Sequence, residues 1–166
     1  MKTDSSRARR EFTRFVKFCV VGTIGFAVDA GTLFLLANLV GLWTLAAQFL
    51  SFWAAVTSNF IWNRYWVYPD SRAKPVGAQA AQFALVNVAG IVLIRTPFFA
   101  FAEKPLQRVA AGLLPLLRTW PAPVPTLAER FGPADAGTLL TLVLAVIIVL
   151  FWNFAVNRLW TYSDVS

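Results

Sequence analysis

The side chains in this chain that are able to do chemistry are amides and guanidiniums. Twice, as Asn59 to Asp70 and again as Asn153 to Asp164, the sequence reads Asn-Phe-x-x-Asn-Arg-x-Trp-x-Tyr-x-Asp, each time at the exit of a long apolar run. On a helix, Asn59 and Asn153 lie ~7 Å deeper than Arg64 and Arg158, and Asn63 and Asn157 sit one turn nearer water on the same faces. Asn87, five residues after Gln82, adds a third carboxamide at that depth. Amides converging beside two arginines suit a phosphate and a hydroxyl-rich group. The structural alternative is interhelical hydrogen bonding, worth about 0.6 kcal/mol per bond in a membrane, and the residue types leave both open. Gln48 and Ser51 extend the polar positions further along the same apolar run.

Two ionisable residues fall inside apolar runs: Asp29 in the first and Arg95 in the third. Each costs about 2.5–3.5 kcal/mol at the middle of a span, so each needs a partner, a watery cavity or a task. Asp29 lies ~18 Å along the helix from Lys17, and Arg95 ~20 Å from Gln82, which gives them similar depth. They are expected to pair, either to hold two helices together or to contact substrate. Gly22, Gly25 and Asp29 share one helical face, where small residues let a neighbouring helix or a lipid chain approach.

Much chemistry is excluded. There is no histidine, and the single cysteine, Cys19, lies within the first apolar run, so histidine triads, thiolate metal sites and disulfide frameworks are absent. The sequence shows no Gly-rich phosphate loop and no paired carboxylates. No cofactor, metal or catalytic residue is expected, and the protein is not read as an enzyme. The net charge of +7 sits in connections beside the apolar runs and lines no single solvated face, so nucleic acid is not an expected partner.

The elements that must position these residues are membrane helices. With 58% hydrophobic and 14% charged residues, the composition is that of a chain in lipid. Four runs approach or exceed the ~20 residues needed to span a bilayer: Phe15 to Val40, Leu42 to Trp62, Gln82 to Ala102, and about Gly137 to Val156. Lys2, Arg7, Arg9, Arg10, Arg14 and Lys17 precede the first, Arg64, Arg72 and Lys74 follow the second, and Arg158 follows the fourth. The opposite side has Lys104, Arg108, Arg118 and Arg130, diluted through a longer loop, so the bias puts both termini in the cytoplasm. The alternative, a cleaved secretory signal ending near Ala30, conflicts with an apolar run that continues to Val40.

The expected fold is therefore an all-α membrane protein, a single transmembrane domain of four helices arranged as two hairpins in parallel repeat, about 14–70 and about 82–164. A weaker correspondence links Phe18, Val21 and Gly25 with Phe83, Val86 and Gly90, an offset of 65 residues. A Pro-rich outer connection, about 103–136, holds Pro105, Pro115, Pro121, Pro123, Pro125 and Pro133 and reads as a punctuated loop. Its front half, Leu106 through Leu117, reads either as a short interfacial helix or as irregular chain. Trp62, Tyr65, Trp66, Tyr68, Trp152, Trp160 and Tyr162 cluster at the cytoplasmic ends as headgroup anchors, with sugar stacking the alternative role.

These motifs resemble the GtrA-like family of small bacterial membrane proteins. The resemblance rests on Arg-Phe-x-Lys-Phe-x-x-Val-Gly-x-x-Gly-Phe-x-x-Asp from Arg14 to Asp29, Ser58-Asn-Phe-x-x-Asn-Arg-x-Trp at the end of the second run, and Asn153-Phe-x-x-Asn-Arg-x-Trp at the end of the fourth. The long proline-rich connection departs from the family's usual pattern. Membership implies four helices in the bacterial cytoplasmic membrane and the movement of a polyprenyl-phosphate-linked monosaccharide to the outer leaflet for cell-surface polysaccharide. It further implies a sugar-lipid synthase and an outer-face glycosyltransferase as partners.

The leading expectation is a lipid-linked sugar translocase. Asn59, Asn63, Arg64, Asn153, Asn157 and Arg158 receive the headgroup, Asn87 and Gln48 extend the polar track, and Asp29 and Arg95 line or gate the passage. Four helices enclose little volume, so a homo-oligomer is expected in the surrounding membrane lipid. The alternatives are a scaffold that recruits the synthase, a translocase recycling bare polyprenyl phosphate, and a small cation exporter, the last disfavoured by Arg95 beside Asp29.

Overall fold

The computed structural model of the protein describes residues 2–117, 119 and 132–164, and among these every regular element is helical. Helix α1 is Lys2–Phe34, α2 Thr44–Trp62, α3 Val76–Ala89, α4 Thr96–Leu117 and α5 Pro133–Val156. Four wide π-helical segments extend them: Leu35–Leu39 after α1, Asn63–Val67 after α2, Gly90–Arg95 between α3 and α4, and Asn157–Thr161 after α5. Between α1 and α2 the chain turns at Gly41, whose φ of +73° is open to glycine at no steric cost. The amide of Leu42 then reaches back to the Leu36 carbonyl at 2.9 Å.

Three stretches, Arg7–Leu39, Val76–Leu116 and Pro133–Thr161, are helical, long and apolar enough to cross a membrane, which makes this a membrane protein. Helix α2 is shorter at 19 residues and carries Gln48, Ser51, Thr57, Ser58 and Asn59, so its hydropathy is diluted.

For the front half of the Pro-rich connection, Leu106 through Leu117, the helical alternative holds: α4 runs without a break through Glu103 to Leu117 with Pro105 and Pro115 inside it, so the expected loop does not begin at 103. A proline interior to a helix denies an amide to the carbonyl four residues earlier, here Phe101 and Ala111. Unwinding the segment in an apolar phase would strand many more backbone groups, so the helix absorbs two defects instead. The wide segment Gly90–Arg95 also places Pro97 in the first turn of α4, where a missing amide costs little. The later prolines Pro121, Pro123 and Pro125, with Arg118 and Arg130, lie outside the described residues.

The described chain forms two compact units. The first gathers the residues up to Asn87 with those from Asn153 onward, and the second is Val88–Trp152. In the first, α1 packs on α2. Ala47, Ser51 and Ala55 form a buried stripe at i, i+4 and i+8 of α2, small enough for close helix approach. Phe154 packs edge-on against Phe15 and Phe18 at 5.0 and 5.5 Å, and Phe60 meets Phe83 at 5.8 Å. In the second unit, α4 and α5 touch where Gly137 meets the backbone of Gln107, leaving no room for a Cβ. The Thr138 hydroxyl beside it donates to Glu103 at 2.9 Å.

Candidate functional site

Each copy of the signature ends its helix in the same wide turn. The amide of Tyr68 donates to the Asn63 carbonyl and that of Tyr162 to the Asn157 carbonyl, both at 2.8 Å and both five residues back. One extra residue per turn redistributes the side chains. Asn63, Arg64, Val67 and Tyr68 turn inward while Tyr65 and Trp66 face out; Asn157, Thr161 and Tyr162 turn inward while Leu159 and Trp160 face out. The two inward tyrosines stack, with centroids 4.3 Å apart and planes 15° from parallel. Neither ring exposes any surface, so Tyr68 and Tyr162 are core residues; the exposure expected of headgroup anchors is seen at Trp62, Tyr65, Trp66 and Trp160. Burial pushes both phenols far above the ordinary tyrosine range.

Two polar chains flank this stack. In one, Arg64 donates to the Gln79 carbonyl oxygen, the Gln79 amide donates to Ser71 Oγ at 2.5 Å, and Ser71 donates to Asp164 at 2.5 Å. Asp164 also accepts the Ala73 amide at 3.0 Å. Burial works against the ionised Asp164, but these donors outweigh it and hold the carboxyl below the usual range. In the other, Arg158 grips Glu11 with Nε and Nη2 at 3.1–3.2 Å, and Glu11 accepts from Arg14 at 2.7 Å. Arg14 in turn lies 3.9 Å from Asp70. The arginine of each signature is thus linked, through a residue near the start of α1 or α3, to the aspartate of the other. Lysines repeat the pattern: Lys17 donates to the Trp66 carbonyl and Lys74 to the Trp160 carbonyl.

Deeper along the helices lies the carboxamide layer. Asn59 packs on Gly25 so closely that a Cβ there would sit 2.3 Å from its Oδ1. Asn153 Nδ2 is 3.5 Å from Asn87 Oδ1, and Asn87 donates to the Phe83 carbonyl at 2.8 Å. Asn63 donates to the Asn59 carbonyl, and Asn157 accepts from Thr161, each at 2.8 Å. Among the described residues, several buried atoms here have no protein partner: Oδ1 of Asn59, Asn63 and Asn153, Gln82 Oε1, Arg64 Nε, and Nδ2 of Asn157. Such atoms cost about 1–3 kcal/mol each unless water or a ligand completes them.

Asn59, Asn63, Arg64, Asn87, Asn153, Asn157 and Arg158 thus all belong to the first unit. Gln48 is exposed on α2, with its carbonyl accepting from Ser51 at 3.1 Å. Asp29 is half-buried on α1 in the first unit, and Arg95 is exposed at the end of the wide segment opening the second. The residues that sequence reasoning missed are Glu11, Arg14, Ser71, Gln79 and Thr161. A usable signal existed for Gln79: the 65-residue offset places it on Arg14.

The sequence matches the family described as GtrA/DPMS, transmembrane domain, over residues 17–162. It is 26% identical over 148 residues to the uncharacterized membrane protein YngA of Bacillus subtilis, covering 89% of this chain and 78% of the relative. It is also 31% identical over 83 residues to a dolichol-phosphate mannosyltransferase of Pyrococcus furiosus, covering 50% of this chain but only 23% of that protein. The polar and aromatic signature, the helices that carry it and a family match spanning most of its length agree: this chain belongs to the GtrA/DPMS transmembrane-domain family.

Proposed function

We propose that this protein is a translocase for a polyprenyl-phosphate-linked monosaccharide, carrying it from the cytoplasmic to the outer leaflet of a bacterial cytoplasmic membrane for cell-surface polysaccharide. The observation that carries this reading is the layer of buried, unpartnered amide atoms beside two arginines in a membrane protein. Its chemistry complements sugar hydroxyls and a phosphate. The family description and the name of the archaeal relative point to the same lipid-linked sugars.

In this reading α2 also crosses the membrane, both termini are cytoplasmic, and the two hairpins form one transmembrane domain in parallel repeat. The contact between Lys17, where the apolar run of α1 begins, and Trp66, beyond the end of α2, supports the crossing, because a chain that leaves with α1 must return with α2. The phosphate displaces the Gln79 amide from Arg64 and the Glu11 carboxylate from Arg158, while Asn59, Asn63, Asn153 and Asn157 take up the sugar hydroxyls. Asn87 and Gln48 extend the polar track, Asp29 in the first unit and Arg95 in the second each contact the substrate on its way, and a second copy of the chain supplies the volume that four helices lack. No bond is made or broken, so no catalytic group, metal or cofactor is required.

The test is leaflet transfer of a labelled polyprenyl-phosphate hexose in liposomes holding only this protein. Wild type is expected to transfer it, and Arg64→Ala/Arg158→Ala, Asp29→Asn and Arg95→Ala to lose at least tenfold in rate, a loss of about 1.4 kcal/mol or more per variant. Full transfer by the double arginine variant would sink the site. A second reading, a membrane scaffold for a sugar-lipid synthase, is favoured by the likeness to only 23% of an enzyme. Synthase capture without lipid movement would select it.

A further inference from the structure

The first turns of α1 hold a feature that the carboxamide layer does not use. Arg9, Thr13 and Lys17 follow at i, i+4 and i+8, and Arg10 and Arg14 at i+1 and i+5, so all five fall within an arc of about 140° on one helical face. That face and the segment Val67–Asp70 enclose an open cleft of about 920 Å³. Four cations and one carboxylate, Asp70, line it. The geometry is fixed: Arg14 is 8% exposed and anchored to Glu11, and Lys17 lies over the Trp66 ring at 5.4 Å while donating to its carbonyl. Arg9 and Arg10 are exposed at the mouth. Like charges one turn apart repel, so an anion bound in the cleft would offset a repulsion that Glu11 and Asp70 relieve only at Arg14.

Positive charge at the cytoplasmic start is shared by both halves, since Arg72 and Lys74 stand where Arg7 and Arg9 do at an offset of 65 residues; the halves differ in the turns that follow. At this offset, which aligns Phe18 with Phe83, Arg9 corresponds to Lys74, Arg10 to Pro75, Arg14 to Gln79 and Lys17 to Gln82. The aligned phenylalanines make matching contacts, Phe18 with Phe154 and Phe83 with Phe60. Gln79 is fully buried and spends its amide on internal bonds. Of the four cations in the α1 cleft, Arg9 alone has a cationic counterpart, Lys74, which is engaged with Trp160 and Ser163; the other three correspond to uncharged residues.

We propose that the α1 cleft binds the phosphate group of a lipid, one per chain, with Arg9, Arg10 and Lys17 as its contacts and Arg14 as its floor. The proposal deepens the translocase reading and rests on it only for the polyprenyl tail; the phosphate chemistry stands on the cleft. Arg14 on the floor of the cleft donates to Glu11 at 2.7 Å, and Glu11 pairs with Arg158 at 3.1 Å, so a headgroup captured there sits one ion pair away from a signature arginine.

The experiment measures binding of a short-chain polyprenyl phosphate to the purified full-length protein in nanodiscs of neutral lipid, with inorganic phosphate and phosphatidylglycerol as competitors. Arg9→Gln/Arg10→Gln/Lys17→Gln is expected to weaken binding about tenfold or more. Lys104→Gln/Arg108→Gln, which removes exposed charge from α4, is expected to leave it within twofold. Asp70→Asn, which removes the carboxylate from the cleft, is expected to tighten binding, a gain that misfolding cannot imitate. Displacement by inorganic phosphate assigns a free-phosphate site, displacement by phosphatidylglycerol assigns a general lipid site, and displacement by neither assigns the polyprenyl phosphate. Triple-variant affinity within twofold of wild type, equal weakening by the α4 variant, or no tightening in Asp70→Asn overturns the proposal. Leaflet transfer is read separately, so a translocase without this cleft remains distinguishable from no translocase at all.

Discussion

At the scale of the residue, the aspartates that close the signatures act differently. Asp164 is held ionised by Ser71 and the Ala73 amide, while Asp70 is largely exposed near Arg14. A carboxyl whose folded pKa is depressed contributes stability above its unfolded value, 3.8 for this group, and loses it as pH falls through the folded value. Acid unfolding below about pH 4 is therefore expected to be steeper in wild type than in Asp164→Asn, as read by thermal melts in detergent across pH 2 to 7. The stacked tyrosines make the opposite case. Neither hydroxyl has a protein partner among the described residues, so Tyr68→Phe and Tyr162→Phe remove an unsatisfied polar atom and keep the stack. Each is expected to change stability by less than about 1 kcal/mol, whereas Tyr68→Ala should cost about 3 kcal/mol or more. Gly25→Ala is expected to cost only about 1 kcal/mol of stability, because the Asn59 side chain is able to swing away, yet to depress leaflet transfer as much as Asn59→Ala does.

At the scale of the element, the wide turns decide which side chains meet. In an ordinary α-turn, the residues between Asn157 and Tyr162 would turn about 100° each, with one residue fewer per hydrogen-bonded ring. Tightening this turn to an α-turn with every residue kept would swing Tyr162 about 100° away from Tyr68, whereas deleting Leu159, which is 77% exposed, leaves Tyr162 four residues after Asn157 and near its place on the stack. The deletion is therefore expected to cost less than about 1 kcal/mol, and Leu159→Ala to stay within about 0.5 kcal/mol. Denaturant melts of the two variants check this directly. Helix α4 shows the same logic in reverse. Its prolines at 105 and 115 are tolerated because unwinding the helix is the worse alternative, so Pro105→Ala should raise stability where Pro insertion at exposed Val109 should lower it by about 3 kcal/mol.

At the scale of the whole molecule, the proposed topology makes a sharp demand. Asp70 and Ser163 belong to the same unit, and Lys74, near the first, donates to Ser163 Oγ at 2.8 Å. On a Cys19→Ala background, Asp70→Cys and Ser163→Cys are both expected to react with an impermeant thiol reagent from the cytoplasmic side only. Labelling of both from the outer side, with Arg7→Cys still labelled from the cytoplasm, would remove α2 from the list of crossings. The proposed transport uses the buried carboxamides of the first unit, so these topological and functional tests are independent.

The sequence by itself determined the solvent, the helical class and the signature. Hydrophobic run length fixes the need for lipid, and backbone groups in lipid have no alternative to helix, so three of the four apolar runs were legible as spanning helices, though not their ends: the helix through Gln82–Ala102 extends from Val76 to Leu116. The recurring Asn-Phe-x-x-Asn-Arg was legible because it is a one-dimensional pattern. What required tertiary structure was everything set by partner choice. That Arg158 grips Glu11, that Arg64 takes Gln79, and that Tyr68 leaves the headgroup layer to stack on Tyr162 follow from residues 147, 15 and 94 positions apart brought together. Helical periodicity carries no information on such pairings. The wide turns were equally illegible, because a single extra residue per turn is chosen by the contacts it permits on folding, and no residue type demands it.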